Sequence, residues 1–466
     1  MRRRFTAQKA QTFDYSNYLT IEALEDNLTV TFTKDIEYTI DGREWITLKA
    51  KNKTQPINIG QTLSFKGELT PNSSAGIGQF TIDKKCSLKG NCMSMLFGDN
   101  AANNYSLSGK NYAFSKLFIN CSNIVNVDSN FLPATTLASY CYGEIFRGCS
   151  SLTTAPKLPV TKLAPYCYRN MFQGCSSLTT APELPATTLT THCYHYMFYG
   201  CKSLVNAPKL PATKLADYCY GAMFYICSRL TTAPELPATT LASSCYHNMF
   251  QGCSSLTTAP KLPATTLADN CYEHMFQNCH NLTAAPELPA KKLAAYCYSL
   301  MFYDCRSLVN APELPATTLK NDCYEYMFAN CSILTTAPIL PATTLANKCY
   351  YSMFYGCSNL TTAPELPATT LYPYCYDSMF YGCSSLTTAP ELPATTLSKS
   401  CYRQMFYNCS FLNYIKMLAT NISASDCLGQ WTYGVSSTGT FVKNAAMTSL
   451  PTGTSGIPSG WTVQNA

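Results

Sequence analysis

Cysteine is the residue in this chain with the most chemistry to offer. It occurs 26 times in 466 residues, and 22 of these form pairs in the frame Cys-Tyr-x-x-(Met/Ile)-Phe-x-x-Cys. The first member of each pair falls at Cys141, Cys167, Cys193, Cys219, Cys245, Cys271, Cys297, Cys323, Cys349, Cys375 and Cys401, always 26 residues after the last. Disulfides are the first chemistry to test. Equivalent cysteines in stacked copies would sit ~4.8 Å apart with parallel side chains, whereas a bridge needs Cβ atoms ~3.8 Å apart. The two cysteines of one copy are eight residues apart, about two turns if that segment is a helix. Structural zinc fares no better, because the spacing is C-x7-C and not C-x2-C. The expectation is a ladder of buried free thiols acting as small hydrophobes, with no disulfides, as suits a protein made in a reducing compartment.

The five histidines offer little more. His195 and His247 are equivalent but two copies apart, roughly 10 Å, with Gly221 between them. His192 and His195 have no recurring third ligand, so no metal site is expected. No G-x-S-x-G, phosphate-loop or H-E-x-x-H segment occurs, and no carboxylate pair stands out from the solvated charges. The sequence therefore predicts no catalytic residue, no cofactor and no enzyme.

The element that must position these residues is the repeat itself. A unit of 26 residues recurring without insertion cannot bury a core alone and must stack on its neighbours as a solenoid. Within the copy from Leu152 to Cys175, Pro156 stops a strand after three or four residues. Leu163, Cys167 and Met171 recur at four-residue spacing beside Phe172, which predicts a short helix or 3-10 turn. The position before the second cysteine is Gly or Asn in nine of eleven copies, the residues that tolerate a left-handed corner. Each coil is thus expected to run strand, Pro-rich turn, short helix, corner.

The flanks differ. Residues 1–14 are a basic segment with Arg2, Arg3, Arg4 and Lys9, lacking the apolar stretch of a secretory signal. Residues 15–85 alternate apolar and polar positions, as in Leu28, Val30, Phe32 and Ile36, Tyr38, Ile40, with an Asp41-Gly42 turn, and predict a small antiparallel β-domain. Residues 86–120 read as a transition and N-terminal cap, 121–426 as the solenoid, and 427–466 as a C-terminal cap and Gly/Ser/Thr-rich tail. The coil through Phe118 and Cys121 carries a two-residue insertion before Leu132 and Pro133. No run approaches the ~18 apolar residues of a membrane span, so no membrane insertion is expected. The net charge of +6 with only 13% charged residues gives no indication of nucleic-acid binding.

Variation among the copies points to a surface. The residue before Cys-Tyr includes Tyr140, Tyr166, His192, Tyr218, Tyr296 and Tyr374, and the residue after Met-Phe includes Tyr199, Tyr225, Tyr303, Tyr355, Tyr381 and Tyr407. Such rows resemble a paratope's chemistry and also suit stacking on sugar rings, so they are the candidate ligand-binding residues. The invariant Tyr168 and its equivalents read as framework. Between the prolines, Lys157, Glu183, Lys209, Glu235, Lys261 and Glu287 alternate in sign and predict a ladder of opposite charges.

The phrases L-P-x-x-x-L and M-F-x-x-C-S-x-L resemble the BspA-like, or Treponema-type, leucine-rich repeat, from Cys121 to about Cys427. That resemblance implies a curved solenoid with a short parallel sheet, in proteins that act in adhesion. The overall arrangement also looks like proteins encoded by bacteriophages of gut bacteria. This implies a virion fibre or receptor-binding protein, attached to other virion proteins through its N-terminal domain and meeting a cell-surface glycan or protein receptor. Fibres of this kind are commonly trimeric, which implies a homotrimer at the virion surface. A bacterial surface adhesin and an intracellular protein-binding scaffold are the alternatives.

Overall fold

The computed structural model describes residues 13–72 and 74–466. The basic residues Arg2, Arg3, Arg4 and Lys9 lie outside this range. The alternating N-terminal stretch forms strands β1 (Leu19–Ala23), β2 (Val30–Phe32), β3 (Ile36–Ile40), β4 (Ile46–Leu48), β5 (Thr62–Lys66), β6 (Phe80–Ile82) and β7 (Cys86–Gly90). With β8 (Ile124–Val127) they build a six-stranded sheet in the order β4-β3-β5-β1-β7-β8, while β2 and β6 pair separately. Asp41 and Gly42, at φ 50° and 71°, make the tight turn between β3 and β4.

The sheet does not stop where the repeats begin. β7 pairs antiparallel with β1 on one side and parallel with β8 on the other, and β8 belongs to the first coil. The hydrogen-bond ladder therefore passes from the N-terminal sheet directly into the stack. A single helical turn, α1 (Ser94–Phe97), and a 3-10 segment at Gly98–Asn103 follow β7.

The expected coil requires correction in its second half. No helix occurs in the repeats. The segment around each Cys-Tyr is a ribbon of linked β-turns, in which alternate residues bond within the coil and to the next coil. Cys167, Arg169, Met171, Gln173 and Cys175 each donate their N–H to the carbonyl three residues back, at 3.0 to 3.3 Å. The residues between them reach across, with Tyr168 N donating to Cys193 O at 3.1 Å, Asn170 N to His195 O at 2.9 Å and Gly174 N to Tyr199 O at 2.8 Å. Every fourth residue is left-handed: Tyr166, Asn170 and Gly174 have φ of 58°, 55° and 75°. A positive φ at the third position of alternate turns is what a type II turn requires. Turns of this kind bury residues in adjacent pairs, so Cys167-Tyr168, Met171-Phe172 and Cys175 are all at most 1% exposed. The four-residue period is real, but it belongs to turns.

The strand half is shorter than expected as well. Between β8 and β9 (Tyr414–Met417) the parallel sheet reduces to single bridges such as Thr154 with Thr180 and Thr180 with Asn206. Pro156 and its equivalents remove the donor that the next ladder bond would need. The stack closes with β9, β10 (Thr440–Lys443) and β11 (Thr462–Asn465) in a parallel three-stranded sheet. Trp431, fully buried where other coils carry Met, seats on Tyr402 and Phe406, and its indole N–H donates to Gly456 O at 2.9 Å.

Inside, every coil repeats one core layer. Successive phenylalanines stack face to face, as in Phe198, Phe224 and Phe250 with centroids 5.6 and 5.7 Å apart. The Tyr168 column is buried beside them, with centroids near 5.9 Å, as framework. The 26 cysteines are free and buried.

Candidate functional site

The side of the stack that carries the variable tyrosines is the turn ribbon, and its geometry follows from the hydrogen bonds just described. Because coils are joined residue to residue, equivalent side chains lie directly above one another. In the row before Cys-Tyr, Tyr112, Tyr140, Tyr166, His192 and Tyr218 form one continuous aromatic column. Its centroid separations are 4.5, 4.3, 4.6 and 4.6 Å and its rings lie within 19° of parallel. The column ends at Ser244. In the same row Tyr296 stands alone, 38% exposed, and Tyr374 lies under the Lys399 ammonium at 5.5 Å.

The row after Met-Phe divides similarly. Tyr355, Tyr381, Tyr407 and Tyr433 make a second column at 4.5, 4.6 and 4.6 Å. Tyr199 and Tyr225 form a tilted pair at 5.0 Å, and Tyr303 touches the edge of Tyr326 at 6.3 Å. Tyr112 and Tyr433 complete the two columns from the capping coils. They escape notice in the sequence because the Cys-Tyr frame is broken around them: Tyr433 sits one 26-residue unit after Tyr407, but Tyr112 lies 28 residues before Tyr140, displaced by the two-residue insertion.

Two expectations need correcting here. Interior rings of a column, such as Tyr140 and Tyr381, spend both faces on their neighbours, so they present edges and hydroxyls outward and not open faces for stacking on sugars. The row before Cys-Tyr is also not uniformly outward, because Ser244 and Ser400 are each 3% exposed and Asp322 is 6% exposed. Burial raises the Tyr140 and Tyr381 phenols above the ordinary tyrosine value, so these hydroxyls stay protonated and can donate. The left-handed φ shared by Tyr140, Lys348 and Ser400 is independent of side chain, so the strain belongs to the ribbon and not to a site.

A polar row beside the first column was not anticipated. It is the residue immediately after Cys-Tyr, and its variability was the signal available. His195, among Arg169, His192 and Tyr218, is pushed down to about 3 by burial. Burial alone would raise the Glu273 carboxyl, but hydrogen bonds from His247, His274 and Asn270 outweigh it and hold the group at about 2. His247 Nδ1 lies 3.0 Å from Glu273, and Arg403 joins the buried Asp377 to Asp426 at 3.4 and 3.2 Å. These contacts tie neighbouring coils together.

The predicted charge ladder does not close. Among the described residues, Lys157, Glu183, Lys209, Glu235, Lys261 and Glu287 make no ion pair, whereas Glu391 reaches Lys416 at 2.9 Å. The proline corner separates neighbouring side chains across shallow grooves, one of about 430 Å³ between Lys157 and Glu183, so the charges remain solvated.

Stacked units with one Leu-rich turn, one short parallel ladder and a shared apolar layer define a leucine-rich-repeat protein. A family model described as BspA type leucine rich repeat region matches in six copies over residues 110–257, 244–376 and 326–428. The chain belongs to that family. No curated protein and no solved structure matches it. Among the described residues no helix is long and apolar enough to cross a membrane.

Proposed function

We propose that this chain is a non-enzymatic recognition protein, a solenoid whose tyrosine-bearing turn ribbon contacts a receptor on a cell surface. The observation that carries the reading is the second column, Tyr355, Tyr381, Tyr407 and Tyr433. It is partly exposed along its length and presents a rank of rigid ring edges and hydroxyls, contact area that loses little entropy on binding. The finer assignment is a phage virion fibre or receptor-binding protein. In that arrangement the domain at 15–85 holds other virion proteins, the repeats at 121–426 reach the host, and three copies associate. The BspA-type family match favours a second reading, an adhesin displayed on a bacterial surface.

The test is cell binding by labelled protein. Replacing Tyr381 and Tyr407 together by Ala should weaken binding by about tenfold or more, since each truncation removes a packed aromatic contact. Both side chains sit at the rim, so the thermal midpoint should hold within a few degrees. Unchanged binding would remove this column as the contact surface. Mass spectrometry of purified virions separates the two settings, because a virion fibre must be found there and an adhesin must not.

A further inference from the structure

A two-residue departure from the repeat length lies at a concave site. From Ile124 to Leu132 the chain takes eight steps where Leu152 to Leu158 takes six, and the two extra residues lie in the segment after β8, which opens with the loop Asp128-Ser129-Asn130. This loop is one lip of a cleft of about 860 Å³ between the N-terminal sheet and the first coil. The opposite lip is the 3-10 turn Tyr15–Asn17. That turn sits close against β7 because residue 90 is glycine, where an added Cβ would lie 2.4 Å from Tyr15 O and 2.1 Å from Tyr18 O.

The loop's backbone is fixed while its side chains are free. Asp128 N donates to Leu88 O at 2.9 Å, Phe131 N to Asp128 O at 3.2 Å and Lys157 N to Ser129 O at 3.0 Å. The side chains of Asp128, Ser129 and Asn130 are exposed, and among the described residues they make no hydrogen bond or ion pair. Tyr105 stands over the cleft 49% exposed, with its backbone carbonyl holding Thr135 N at 2.8 Å. Unlike the column tyrosines, it has no aromatic ring stacked on it among the described residues.

From this geometry we infer that the cleft binds a short saccharide. Its volume is that of a small-molecule site, and its lining combines aromatic and prolyl surface with unengaged polar groups. Tyr105 offers an uncovered ring face for the apolar face of a sugar, while the Asp128 carboxylate accepts from hydroxyls and Asn130 and Lys157 donate to them. An extended peptide is disfavoured because both edges of β8 are used, by β7 on one side and by the bridge from Asn126 to Thr154 on the other. A phosphate-rich ligand is disfavoured by Asp128 and by the pairing of Lys89 with Glu22 at 2.8 Å.

The test is an array of short neutral and acidic oligosaccharides probed with the full chain, followed by calorimetric titration of the strongest binder. Tyr105→Ala and Asp128→Asn should each weaken binding by about tenfold, the loss of one good contact. Glu287→Gln, exposed on the proline corner far along the stack, should bind as the parent does. Asp128→Asn keeps the side chain's size, so its folding is secure even if Tyr105→Ala is less stable. Absence of binding across the array overturns the proposal, as does a bound saccharide whose affinity neither variant changes. Loss in Tyr381→Ala alone would move the saccharide to the tyrosine column, ending the cleft proposal while leaving the recognition reading intact.

Discussion

Cys175 shows what the regularly spaced thiols do. Its Sγ donates to Phe146 O at 3.1 Å, and that carbonyl also accepts Cys175's own counterpart, the Cys149 N–H, at 3.1 Å. The same thiol bond recurs from Cys149 on Phe118 to Cys409 on Phe380, so the second cysteine of each unit fastens its coil to the one before. Sulfur's weak donor is tolerated because the group is otherwise a small hydrophobe in an apolar layer. Burial pushes the Cys141 thiol up to about 12 and moves its equivalents in the same direction. Nucleophilic thiolate is therefore nearly absent near neutral pH. At pH 8 the native protein should react negligibly with a thiol-specific chromogenic reagent over minutes, whereas all 26 cysteines should titrate once it is unfolded in denaturant. Rapid labelling of many thiols in the native state would contradict the buried ladder.

At the scale of the element, the turn ribbon makes a specific demand on backbone conformation. The corner before the second cysteine is left-handed in every coil, and most coils meet this with Gly or Asn. Ile226 does not: it is held at φ 58° between Gly200 and Gly252. A β-branched residue there crowds the adjoining carbonyl, at roughly 1–2 kcal/mol. Because Ile226 is only half-buried, Ile226→Asn should give up little packing and raise the unfolding free energy by about 1 kcal/mol, measured by urea denaturation. A destabilised variant would show that the side chain's contact with Gly252 outweighs the strain.

For the whole molecule, stability is a sum over coil interfaces, because each coil bonds and packs only against its neighbours. Phe224, fully buried between Phe198 and Phe250, belongs to two such interfaces. Phe224→Ala should cost roughly 3–5 kcal/mol. Hydrogen exchange should show the loss of protection centred on residues 193–250, with the N-terminal sheet protected as before. Uniform loss along the chain would mean that the stack and the sheet unfold as one cooperative unit. The continuous ladder through β7 and β8 couples the two at one end only.

Much of this architecture was readable before any coordinates. The period, the burial of Cys-Tyr and Met-Phe, the left-handed Gly/Asn corner and the antiparallel N-terminal strands all follow from local pattern. Val30 and Phe32, for example, are buried while Thr31 between them is partly exposed, as alternation requires. The turn ribbon was not readable, because apolar residues every fourth position fit a helix and a chain of β-turns equally well. Only the hydrogen bonds from one coil to the next, such as Tyr168 N to Cys193 O, separate the two, and they join residues 25 apart. The tyrosine columns were visible as rows, but whether their faces were open or covered depended on the distance between coils. The cleft at Asp128 was present in the sequence only as two extra residues, and its walls come from segments more than 100 positions apart, Tyr15 and Asp128. Sequence by itself determined which residues repeat and which face inward, since periodicity is a local property of the chain. Tertiary structure alone decided what those residues touch, since stacking brings together groups that no local pattern relates.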